Sequence, residues 1–146
     1  RTGWRGVRML TQPTTDKILL AIADDLNAVI APAIEDEQAK VLLGQAEQLL
    51  RRLSRRSASE IAWMVEEIAQ IEDAIGQERS QVEGESLLLS DVAERYSQAS
   101  QALAEAIDEA FESGDSQKLG ELKQVLTSRI AREQEILGQL DLIGRG

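Results

Sequence analysis

Two pairs of acids have a spacing that supports metal chemistry on helices. Asp91-x-x-Glu94 and Glu105-x-x-Asp108 set carboxylates at i, i+3, where side chains share one helix face. Helical magnesium-dependent nucleotide pyrophosphohydrolases use such pairs on two facing helices, so that both reach one metal cluster. Here the ten residues between the pairs carry no turn signal, which puts all four acids on one helix. Equivalent positions then lie about 21 Å apart along the axis, too far to hold one ion. A solvated acidic stripe widened by Glu109 and Glu112 is the expectation, with no metal ligands.

Arg51-Arg52-Leu53-Ser54-Arg55-Arg56 puts four guanidinium groups into six residues of an acidic chain. One reading is a helix C-terminus, where cations favour the negative dipole end and their stems lie along apolar surface. The other is a docking spot for an acidic protein or a phosphorylated ligand, since guanidinium pairs two-pronged with carboxylate and phosphate. The same arginines put Ser54 in a context that basic-directed kinases select. Trp63 is the third candidate. In Ile61-Ala62-Trp63-Met64-Val65 the helical period turns Ile61 and Met64 or Val65 inward and leaves Trp63 at a flank. There it is either an interface anchor or, preferentially, a core-edge residue whose N–H reaches a carbonyl.

Much chemistry is excluded. With no histidine and no cysteine, disulfides, zinc fingers, His-ligated haem, Glu-x-x-His di-iron sites and His-dependent nucleophiles in their usual forms all drop out. Gly44, Gly114 and Gly120 are isolated, so no phosphate loop is present. No catalytic residue, cofactor or metal is expected. The net charge of −10 disfavours nucleic acid, whose binding depends on neutralising phosphates. The four aromatics, Trp4, Trp63, Tyr96 and Phe111, offer no platform for stacking bases. Charge is uneven: residues 1–56 balance to +2 and residues 57–146 to −12. That polarity serves solubility, or self-association or a basic partner. No run reaches the roughly 18 apolar residues a membrane span needs, and the basic start has no signal-peptide core. A cytoplasmic protein with no membrane contact is the expectation.

The elements that carry these residues read as helices throughout. Residues 1–12 lack a helical period and read as a flexible arm, whose first eight residues would precede a natural start at Met9. Pro13-Thr14-Thr15-Asp16 opens a helix with a hydroxyl cap and an early acid. Pro32 ends it by pushing Ala31 out of the α region. Glu35-Asp36-Glu37 opens a second helix with Ala39, Leu42, Leu43, Ala46, Leu49, Leu50 and Leu53 on its apolar stripe. Ser57-Ala58-Ser59-Glu60 has capping-box spacing. The third helix runs on past Gly76 towards Val82, with Gly84 as its stop. A fourth helix spans about 87–111, and Asp115 caps a fifth whose stripe reaches Leu140. No segment alternates long enough for a strand. The fold class is all-α, an up-and-down bundle of four to five helices, in a single domain over 13–146. Leu42, Leu49, Ile61, Ile68, Leu103, Leu122 and Leu126 are the expected core.

The segments Pro13-Thr14-Thr15-Asp16-Lys17-Ile18-Leu19-Leu20-Ala21-Ile22, Val29-Ile30-Ala31-Pro32-Ala33-Ile34 and Leu49-Leu50-Arg51-Arg52-Leu53 resemble a group of small bacterial helical proteins. Their genes lie beside aminoglycoside-phosphotransferase-like kinases and acyl-CoA dehydrogenases. The resemblance covers residues 13–56 and implies an accessory role beside such enzymes, with no functional residues to carry over. The leading expectation is a non-enzymatic accessory protein that works by contact, with itself or with an enzyme partner. The alternatives are a carrier of a small apolar or acyl ligand in the bundle core, and a helical metal-dependent hydrolase.

Overall fold

The computed structural model describes residues 12–77 and 85–138. Among them the chain is helical, with no strand. The five α-helices are α1 (Thr15–Asp25), α2 (Glu37–Ser57), α3 (Glu60–Ile75), α4 (Leu89–Ser113) and α5 (Ser116–Leu137). The protein is an all-α helical bundle protein. It divides into two compact units, Arg1–Ala58 and Ser59–Gly146, where one domain over 13–146 is the expectation from sequence. The change in charge balance falls at the same place, because residues 57 and 58 are uncharged. All but one residue of the expected arm, and Trp4, Val82, Gly84 and Leu140, lie outside the described residues.

The first unit is a helical hairpin in which α1 packs along α2. Its turn does not break where the sequence suggests. Ala31 stays in the right-handed α region at φ −57°, ψ −43°, and the chain leaves the helix only at Ile34, with φ −89° and ψ 127°. The helix widens into a π turn over Leu26–Ile30, so that the Ala31 N–H donates to the Leu26 carbonyl. It then tightens into a 3₁₀ turn over Ala31–Ala33. Pro32 falls at the start of that turn, where its missing N–H costs no bond. Asp36 caps α2 by accepting from the Ala39 N–H at 2.8 Å. The Ser54 hydroxyl donates to the Asp16 carbonyl at 2.7 Å and ties the end of α2 to the start of α1. Thr14 occupies the N-cap position of α1 without a side-chain cap bond. Its hydroxyl instead holds the Asp16 carboxyl below its usual range.

The second unit packs α3, α4 and α5 together. The capping box is not formed. Ser57 is still inside α2, where its hydroxyl donates to the Ser54 carbonyl, and Ser59 takes the N-cap position without a side-chain bond. Gly76 is a stop, where the sequence reading runs α3 through it. At φ 76° and ψ 22° it adopts the left-handed conformation, and the Gln77 N–H reaches back to the Glu72 carbonyl, closing a Schellman cap that favours glycine. Gly114 ends α4 the same way at φ 69°, and Asp115 then caps α5 by accepting from the Lys118 N–H. The core is Ile71, Leu103, Ala110, Leu122 and Val125, flanked by Ala99, Ile107, Leu119 and Leu126. Met64 and Val92 are also buried.

Two of the seven expected core residues are fully buried, Leu103 and Leu122. Ile61, Ile68 and Leu126 are half-buried. Leu42 and Leu49 are corrections, at 66% and 55% exposed. A two-helix hairpin shields only the stripe between its helices, and these leucines lie off it. Truncating Leu122 to Ala should therefore cost about 2–5 kcal/mol in chemical denaturation, through the cavity it leaves. Leu42→Ala should change stability by only about 0.5 kcal/mol.

Candidate functional site

The densest polar chemistry lies inside the second unit, where the sequence reading places none. Met64, Glu67 and Ile71 are the buried residues of α3, so a carboxylate occupies a core position on an otherwise apolar stripe. Glu67 is 3% exposed. The Tyr96 hydroxyl of α4 donates to Glu67 Oε1 at 3.0 Å, and the Arg129 guanidinium of α5 forms a short ion pair with the same oxygen. Arg129 also donates from Nη2 to Ser100 Oγ at 2.9 Å, and Ser100 donates to the Tyr96 carbonyl at 2.8 Å. The guanidinium carbon lies 5.2 Å from the centre of the Tyr96 ring, within cation–π range. One carboxylate thus joins three helices.

Trp63 packs one turn before Glu67. Half-buried, it meets the Tyr96 ring edge to face, with centroids 5.4 Å apart and planes at 88°. The expected bond from its indole N–H to a carbonyl is absent, since buried Nε1 has no partner. The carbonyls along α3 serve the helix itself, and the Tyr96 ring fills the flank.

Burial pushes the Tyr96 hydroxyl up to about 12, with the Glu67 charge adding to the effect and Arg129 opposing it. The phenol therefore stays protonated as a donor at neutral pH, and the carboxylate is sealed from solvent. This arrangement clamps helices together and presents no acid, base or nucleophile to a substrate.

The arginines are distributed differently. Arg51 is drawn into the hairpin, donating to Asp24 Oδ1 at 2.9 Å and pairing closely with Glu47. These carboxylates raise its pKa above the ordinary arginine value, Glu47 more than Asp24. Arg55 and Arg56 are exposed and already engaged. Arg52 is half-buried, and no ion pair of Arg52 occurs among the described residues. Ser54 is buried and committed to the Asp16 carbonyl, which removes it as an accessible kinase acceptor. The acid pairs share one unbroken helix, α4. Hydroxyls of Ser86 and Ser90 hold Asp91 below its usual range, and Glu105 accepts from Gln101. Among the described residues no cluster of three metal-ligating side chains forms.

A groove of about 480 Å³ opens between α3 and α4, floored by Val65, Ile68, Ile75 and Ala99 and rimmed by Arg95 and Glu85. Arg95 pairs with Glu85 and donates to the Ser86 carbonyl. Comparison of the chain with protein-family models, with curated proteins and with solved structures finds no match.

Periodicity could have found Glu67, which follows Met64 by three and precedes Ile71 by four, and Arg129, which continues Leu122 and Val125. Tyr96 is the chain's one tyrosine, so tyrosinate absorbance in an alkaline titration reads this site alone. Folded protein should titrate near pH 12 and denatured protein near pH 10. Because the folded value is the higher one, the stability that Tyr96 contributes is complete below pH 10 and is lost as pH rises from 10 to about 12. Replacing Arg129 by Leu leaves a buried, unpaired carboxylate, and should cost about 3–5 kcal/mol at neutral pH. A double change of Glu67 and Arg129 to apolar residues should recover much of that loss.

Proposed function

We propose that this chain is a non-enzymatic helical interaction protein, working by contact with itself or with an enzyme partner. The observation that carries the reading is the outer face of the hairpin. Ala23 and Ser54 are the buried residues of α1 and α2, while Ile18, Ile22, Val41, Leu42, Leu49 and Leu53 are exposed. Exposed aliphatic residues repeated at helical spacing are the kind of surface that a partner covers. Arg52, at the basic end of the same helix, supplies a charged rim that an acidic partner surface would complement. A cytoplasmic accessory role beside a phosphotransferase-like kinase or an acyl-CoA dehydrogenase rests on the resemblance of residues 13–56 alone. Nucleic acid remains a poor candidate on charge.

The second reading is a carrier of a small apolar or acyl ligand. What favours it is the α3–α4 groove, whose volume of about 480 Å³ lies in the range of small-molecule sites. The groove is open and its rim arginine is already paired with Glu85, so contact is the better-supported reading. A hydrolase has less support, because the acid pairs on α4 cannot converge.

Capture from native cell extract, read by mass spectrometry, tests the contact reading. Wild-type chain should return a reproducible protein, further copies of itself included, and Leu42→Lys with Leu49→Lys should abolish recovery while far-ultraviolet circular dichroism stays unchanged. Replacing Arg52 and Arg55 by Gln should weaken recovery and reduce its dependence on salt. Equal recovery with every variant would remove the reading.

A further inference from the structure

The apolar residues of α2 form two stripes with different fates. Leu43, Glu47, Leu50 and Ser54 recur at four, three and four and are half-buried or buried, on the side that carries the bonds to α1. Leu42, Ala46, Leu49 and Leu53 recur at the same spacing, roughly 100° around the axis, and all four are exposed. The inner stripe includes a glutamate and a serine, while the outer one is wholly apolar. A run at four, three and four is the seam of knobs-into-holes packing. Its natural complement is an identical seam, because an isologous contact presents one patch to its own copy.

Charge decides the direction. α2 opens on Glu35, Asp36 and Glu37 and closes on Arg52, Arg55 and Arg56. Parallel pairing of two copies would set acids on acids and arginines on arginines. Antiparallel pairing sets each acidic start beside the other copy's basic end and opposes the helix dipoles. About the midpoint of the seam, Leu42 then meets Leu53 of the second copy, and Ala46 meets Leu49. Arg56 falls level with Ala39 of the second copy, within a turn of its three acids.

We propose that the chain forms a two-fold dimer in which the Leu42–Ala46–Leu49–Leu53 seams of two α2 helices pack antiparallel. The proposal rests on the contact reading and names its partner as a second copy of this chain. The dimer brings two hairpins into a four-helix contact, with Ile18 and Ile22 of α1 exposed as its flanks.

Two measurements on the full chain decide it. Sedimentation equilibrium should show a reversible monomer–dimer equilibrium, weakened at least about tenfold by Leu42→Lys with Leu49→Lys; circular dichroism checks that the helices persist. The chain has no cysteine, so orientation can be read by disulfide trapping. Ala46→Cys chains mixed with Leu49→Cys chains, one of them size-tagged, should give the mixed disulfide dimer, with little dimer from either alone. Same-residue disulfides at both positions would overturn the antiparallel geometry. A dimer unaffected by the two lysines would overturn the surface. Monomer at every concentration would overturn the second copy as partner. If those lysines then still abolish capture of another protein, the contact reading survives; if capture is untouched, it fails as well.

Discussion

A carboxylate taken out of water must be compensated on the spot, and Glu67 imposes that condition on the whole second unit. Its oxygen needs a cation and a further donor, and these come from two other helices, Arg129 of α5 and Tyr96 of α4. A slip of any one helix by a single turn would strand the charge, at a cost several times that of an ordinary packing defect. The aliphatic core around Ile71, Leu103 and Leu122 supplies burial but tolerates shifts, since leucine and isoleucine pack in many registers. The polar clamp is what selects one of them.

Tyr96 makes the clamp directional. Its hydroxyl serves the carboxylate, its ring faces the guanidinium, its edge-to-face contact seats Trp63, and its carbonyl accepts from Ser100. Scarcity of aromatics elsewhere concentrates these roles on one residue. The unpartnered indole N–H of Trp63 is the cost of fitting the second ring against the first.

The hairpin is built on a different principle. Its helices meet through Ala23, the half-buried Leu43 and Leu50, Ser54 and the Arg51–Asp24 ion pair, a partly polar contact. Two helices enclose little volume, so aliphatic residues beyond the shared stripe stay outside. The arginines at the end of α2 divide accordingly: Arg51 is turned inward to hold α1, Arg52 is half-buried, and Arg55 and Arg56 are exposed.

Helical class, the acidic opening of α2, the cap at Asp115, and the single helix carrying both acid pairs were legible in the sequence, because each depends on neighbours within a turn or two. The endings were less so. Gly76 looked like a weakness inside a period that ran past it, although a left-handed stop and a helix interior can share the same local pattern. The inner and outer stripes of α2 have equal spacing, and nothing local says which of Leu42 and Leu43 meets another helix. Glu67 and Arg129 interrupt apolar periods visibly, yet their separation along the chain hides that they are one pair. By itself the sequence determined where helices form and what chemistries lack their residues, since propensity, capping and composition are local properties. The tertiary structure alone decided which faces are covered and which charges meet, because burial and pairing depend on residues dozens of positions apart.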